Sequence, residues 1–217
     1  MPEEHRDVME SVVGQGEQRI RAAVVEMLEA EGYDAVQVRE VARQARVSLG
    51  KIYKLYGTRD ELILAALQQW LAENRYAGLA DFRPGPGATL HEALMGVLRP
   101  IFEPWEQHPG LLIAYFRARA ASGGELLVRR GFEAVVPAAM TALEGVDPDF
   151  VQDLGRILSS LVYGLLGRFA GGEIAVTEIL PTVDRTVYWL TTGYAARSGP
   201  IAESSGGTAA PGHAGQH

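Results

Sequence analysis

The sequence predicts an all-α protein, with an N-terminal three-helix helix-turn-helix domain and a larger helical domain after it. Apolar residues recur at steps of 3 and 4, as in Ile20, Ala23, Val24, Met27 and Leu28. No stretch alternates with period 2 over a useful length, so no sheet is expected. A Pro/Gly segment at residues 81–89, DFRPGPGAT, separates two helical regions. The expected organisation is a flexible arm over 1–16, a helix-turn-helix domain over 17–60, a helical ligand-binding and dimerisation domain over 61–197, and a disordered tail over 198–217.

The first helix is expected from Glu17 to Glu31, closed by Gly32 as a C-cap. In the second, Val38, Val41, Ala42 and Ala45 share one face, and Arg39, Glu40, Arg43 and Gln44 take the other. The chain turns at Arg46-Val47 and restarts at Ser48, whose hydroxyl suits an N-cap. The third helix, Leu49 to about Tyr56, turns Gly50, Lys51, Tyr53 and Lys54 outward. Glycine weakens a helix by roughly 1 kcal/mol against alanine, and close approach of another surface is a reason for keeping one there. Val36 to Arg59 holds six basic residues and one acidic, in a chain of net charge −7. A basic block in an acidic protein marks where a polyanion binds. This is a helix-turn-helix with Ser48–Tyr56 as the recognition helix for double-stranded DNA.

The segment from Val38 to Leu62 resembles the DNA-binding signature of TetR-family regulators, through Val41-Ala42, Ala45, Val47-Ser48, Gly50, Tyr53 and Glu61-Leu62. The resemblance implies DNA contacts from Arg39, Ser48, Leu49, Gly50, Lys51, Tyr53, Lys54 and Arg59. Arg46 stands at the usual turn glycine, and a left-handed backbone there costs an L residue about 1 kcal/mol. Leu55 stands where many members carry a phosphate-contacting His or Tyr, so no contact is carried over. Arg59 replaces a lysine and keeps the charge, and Tyr56 replaces a phenylalanine and reads as mainly core. The resemblance also implies a homodimer, an inverted-repeat operator and a ligand-released repressor; an activator, or a regulator without an effector, is the alternative.

Thr58-Arg59-Asp60-Glu61 reads as a capping box opening a fourth helix, continuing to about Tyr76. Beyond the Pro/Gly segment, Thr89–Gln107 should be bent or broken at Pro100 and Pro104, and Glu125–Glu144 at Pro137. Leu111–Ala121 lies between them. The last helices, Asp149–Phe169 and Thr177–Ala196, are the expected dimer interface (about 149–196). One offers small residues (Ser159, Ser160, Gly164, Gly167) beside Tyr163, the other an apolar stripe of Val183, Val187, Leu190 and Tyr194. Trp105, Leu112, Tyr115, Phe116, Arg119, Phe132 and Met140 are the candidate lining of a pocket for a hydrophobic effector (a lipid, sterol, acyl thioester or drug-like molecule). Arg117 and His108 are further polar candidates.

The chain has 217 residues, 47% of them hydrophobic, and no cysteine. Disulfide and thiolate chemistry are therefore absent. No signal-peptide core or bilayer-length apolar run is visible, so a cytoplasmic location without membrane contact is expected. Ser48-x-x-Lys51 matches the spacing of some acylating serine enzymes but lacks partner motifs. His91-Glu92 begins a zinc-binding H-E-x-x-H pattern that fails at Met95. No catalytic residue, metal ligand or cofactor is expected.

Overall fold

The computed structural model describes residues 3–198, with side chains for residues 14–197. The described residues form nine α-helices and no strand: α1 (Glu3–Ala30), α2 (Val38–Ala45), α3 (Leu49–Tyr56), α4 (Arg59–Asn74), α5 (Leu90–Gln107), α6 (Pro109–Ala118), α7 (Glu125–Ala142), α8 (Pro148–Ala170) and α9 (Ile179–Ser198). Short 3-10 turns at Tyr33–Ala35 and Val176–Glu178 lead into α2 and α9. The expected tail lies outside the described residues, apart from its first residue, Ser198, which ends α9. The expected arm does not remain separate from the first helix, because α1 already begins at Glu3.

The N-terminal head closes on the stripes that the sequence lays out. Ile20, Val24 and Leu28 of α1, Val41 of α2, Ile52 of α3, and Leu62, Ile63 and Leu67 of α4 are each at most 1% exposed. Burying an aliphatic side chain of this size contributes about 1.5–3 kcal/mol, so one small cluster can hold a helix as short as α3. Local caps fix the boundaries. Ser48 Oγ accepts from Lys51 N–H at 3.2 Å. Thr58 and Glu61 form the reciprocal capping box, at 3.2 and 3.1 Å.

α4 runs from the head into the C-terminal core. There Trp70 stacks on Trp105 of α5, with centroids 5.0 Å apart. Arg75, which caps α4, donates from Nε to the Ile101 carbonyl at 2.6 Å. The head has a second attachment. α1 packs on α6, and the Glu29 carboxylate accepts the Leu111 N–H at 2.8 Å, satisfying a free donor of the first turn of α6. A methyl on Gly110 would stand 2.3 Å from the Glu29 carbonyl oxygen, so the backbones meet where only glycine fits.

The break expected at Pro137 is corrected, and of the bend or break expected at Pro100 and Pro104 the break does not occur. α5 runs unbroken past Pro100 and Pro104, and α7 past Pro137. Pro100 and Pro137 are exposed, and so are Gly96 and Glu133 four residues earlier. The carbonyls that each ring leaves without a donor therefore face water, which removes much of the penalty. The α9 stripe is corrected too. Val183 and Val187 are 0% exposed and pack within the chain, so they are not free for a partner.

Candidate nucleic-acid interface

α3 is mounted on the core through Ile52, its one buried residue. Leu49 and Tyr56 pack at the core's edge, and the remaining side chains are free to present chemistry outward. Ser48, Gly50, Tyr53, Lys54 and Leu55 are exposed, with Leu49 and Lys51 partly so. Nothing in the chain lies within 4 Å of where a methyl on Gly50 would stand. Its neighbourhood is open, as a helix that lies against a second surface requires. Tyr53 is 49% exposed, a large ring with no internal role. Lys51 reaches back to α1, its Nζ 2.8 Å from where a methyl on Gly16 would be.

The flanks of α3 are basic. Arg39 is exposed on α2. Arg43 is committed locally: its Nε donates to Glu40 at 2.9 Å, and this contact holds the Glu40 carboxyl below its ordinary range. Arg46 occupies the turn at φ 56°, ψ 47°, in the left-handed region, as the turn position implied. The half-buried Tyr56 lies 3.5 Å from Arg21, and burial raises its pKa, so it stays a neutral phenol of the core edge.

Arg59 departs from expectation. It points inward instead of toward a phosphate. Its Nε donates to the Val36 carbonyl at 2.7 Å, one terminal nitrogen donates to the Tyr33 carbonyl, and the other to Asp60 at 3.1 Å. The guanidinium lies 4.9 Å from the Tyr33 ring centroid. The first residue of α4 thus ties that helix to the turn before α2.

Of the candidate ligand residues, Trp105, Tyr115 and Arg119 lie together, with Phe116 close by across Tyr163, and Phe132 and Met140 stand apart from them. Trp105, Leu112 and Tyr115 are packed core, Trp105 and Tyr115 with ring centroids 5.5 Å apart. Phe132 and Met140 are 57% and 52% exposed on the outer face of α7. Phe116 sits beside Tyr163 of α8, and Arg119 lies over Tyr115 and Tyr163. Arg117 pairs instead with Asp34 at 2.5 Å, linking α6 to the head, and His108 meets Trp70 edge-on and lies 4.0 Å from Glu29. Open space lies elsewhere. A cleft of about 460 Å³ between α4 and α7 is lined by Leu71, Ala72, Tyr76, Leu127, Arg130 and Ala134, among others. Only the α4 stripe hinted at it, since Leu71 reads as ordinary core by spacing. No group of His, Cys, Asp or Glu side chains suited to a metal ion occurs among the described residues.

Comparison with known proteins assigns the two regions separately. Residues 20–66 match the family described as bacterial regulatory proteins of the tetR family, and residues 87–190 match a tetracyclin repressor-like C-terminal domain. Among solved structures, a TetR transcriptional regulator from Rhodococcus sp. RHA1 superposes with a TM-score of 0.59 at 19% identity, over 81% of this chain and 95% of that one. A TetR-like transcriptional regulator from the same organism gives 0.57 at 20%, over 82% and 96%. At such identity these likenesses speak for the fold alone. No curated protein matches the chain.

Proposed function

We propose, from the premise that this chain belongs to the TetR family of bacterial transcriptional regulators, that it is a homodimeric repressor of an inverted-repeat operator, released by a small apolar effector. The observation that carries the reading is the outer face of α3. Ser48, Leu49, Gly50, Lys51, Tyr53 and Lys54 lie on a helix whose one fully buried residue is Ile52, with Arg39 and Arg46 alongside. Tyr53 and Leu49 offer base-edge and methyl contacts in a major groove, and the lysines offer phosphate contacts. One short helix reads few base pairs, and a two-fold pair doubles the site. Exposed Ile157 and Tyr163 on α8, and Tyr188 and Trp189 on α9, supply an apolar surface for that pairing. A cytoplasmic location belongs to this reading, since DNA is the partner, and no helix among the described residues is long and apolar enough to cross a membrane.

Release would act through α4, which is capped beside α3 and ends at Arg75 in the C-terminal core. A ligand in the α4–α7 cleft that favours a tilted α4 changes the spacing of the two α3 helices.

Selection of bound sequences from random duplex DNA, at near-physiological salt, tests the reading. An enriched inverted repeat is expected; no enrichment counts against it. Tyr53→Ala and Lys51→Ala should each weaken operator binding by on the order of tenfold, with the melting temperature nearly unchanged. Lys51→Ala should also flatten the salt dependence by about one ion.

A further inference from the structure

The cap and body of α3, Ser48 to Tyr56, contain no Arg, Asn, Gln, Asp or Glu. Together with lysine, those are the side chains that single out guanine, adenine and cytosine by hydrogen bonds to their major-groove edges. The two lysines of α3 lie on one side of it, three residues apart. Lys51 is held back against α1, where its Nζ takes the space that a methyl on the buried Gly16 would need. The nearest candidates on α2 are engaged too. Arg43 and Gln44 both donate to the Glu40 carboxylate, at 2.9 and 3.3 Å. In this motif the first helix crosses the DNA backbone, and the N-terminal residues of the second meet the base edges. The residues left for the bases therefore have little hydrogen-bonding pattern to offer.

What they offer is apolar. Leu49 and Tyr53, four residues apart, share the side of α3 next to the lysine side, and Gly50 lies between the two sides. Tyr53 is 49% exposed and Leu49 partly so. Space over Gly50 is open, so nothing holds the helix backbone away from a groove floor. With the lysines on phosphates, the apolar side faces the base edges. An apolar side chain against a phosphate would only strip it of water. The one apolar group that a base pair shows in the major groove is the thymine C5-methyl. Resting on the operator reading above, we propose that this chain reads its half-site through thymine methyl groups. At least one thymine in each half-site packs its C5-methyl against Leu49 and Tyr53, beside Gly50, and the lysines hold the neighbouring phosphates. Specificity at that position is for a methyl rather than for a hydrogen-bonding pattern.

Deoxyuridine differs from thymidine by the C5-methyl alone, so it isolates the contact. The full-length protein is titrated with the operator selected from random duplex DNA, each thymine being replaced in turn in both half-sites at once. At one position or more, uracil should weaken binding by on the order of tenfold, as loss of one buried methyl per half-site implies. At the same position 5-methylcytosine should bind better than cytosine by a similar factor. Leu49→Ala and Tyr53→Ala should each shrink the thymine–uracil difference to about threefold or less, since the methyl then has no apolar partner on one side. Should Leu49→Ala fail to fold, the exposed Tyr53 still carries the test. A selected half-site without thymine overturns the proposal. So does uracil tolerated at every thymine, or a loss on uracil that Tyr53→Ala leaves in full. In each of those cases an enriched inverted repeat still supports the operator reading. If no sequence is enriched, the operator reading fails and the methyl reading falls with it.

Discussion

Arg46 is the one non-glycine residue among those described with positive φ, at 56°. A left-handed L residue costs about 1 kcal/mol, and the guanidinium is exposed, with no carboxylate partner among the described residues, beside the N-cap of α3. Its charge is thus positioned for the same phosphates as Lys51 and Lys54. Arg46→Gly should therefore separate two effects. Unfolding in urea should show the head more stable by about 0.5–1 kcal/mol. Operator binding should weaken, and its salt slope should fall by about one ion. Unchanged binding and slope would remove Arg46 from the DNA surface. Arg59 makes the opposite case. Its guanidinium serves two carbonyls and Asp60, so Arg59→Ala should destabilise the head by about 2 kcal/mol and leave the salt slope of the folded protein unchanged. The sequence made the charge of both residues legible. It could not say which way either side chain points, because the Val36 and Tyr33 carbonyls that capture Arg59 lie more than twenty positions away.

Elements whose ends are set by local chemistry were legible almost to the residue. α2 and α3 follow from their spacing and the Ser48 cap, and α4 from its capping box. α5 opens on a second such box, in which Glu92 accepts from the backbone N–H and the hydroxyl of Thr89. Those bonds, with the backbone one foremost, hold the Glu92 carboxyl below its ordinary value of 4.5. Because the folded value is the lower one, this contribution to stability is present above about pH 4.5 and is lost as pH falls through the folded value. Glu92→Gln should flatten that part of the acid limb in urea titrations, with little change at neutral pH. What the sequence hid is contact between elements far apart in the chain. Internal prolines pointed to breaks, but Pro100 and Pro137 lie on wet faces, where a proline leaves a helix continuous. Gly110 carried no signal of its own, and its role appears only once Glu29 lies against it. Gly110→Ala should force α6 away from α1 and cost about 1–3 kcal/mol on urea unfolding. If stability is unchanged, the close approach is not tight.

At the scale of the whole molecule, the two faces of α9 decide how a pair could form. Val183 and Val187 are fully buried within the chain, so a partner would have to meet the opposite side, where Trp189 is 68% exposed. On α8 the exposed large apolar residues are Ile157 at 43% and Tyr163 at 60%, beside the exposed Ser160 and Gly164, small enough to let a second helix approach. Large rings on an exposed helical face are poorly placed for a monomer in water. They become useful when a copy related by a two-fold axis covers them, since a self-complementary patch then appears twice. Such pairing would also set the DNA heads at a fixed separation, with the acidic remainder of each chain away from the phosphates. Trp189→Arg with Tyr163→Glu should therefore give a folded monomer by sedimentation, with the melting of the head little changed. Its operator affinity should fall by on the order of a hundredfold or more, because a single half-site supplies only part of the specific contacts. A double variant that still sediments as a dimer would place the interface elsewhere. A monomer that kept full affinity would mean that one α3 suffices, and would undo the link between pairing and recognition.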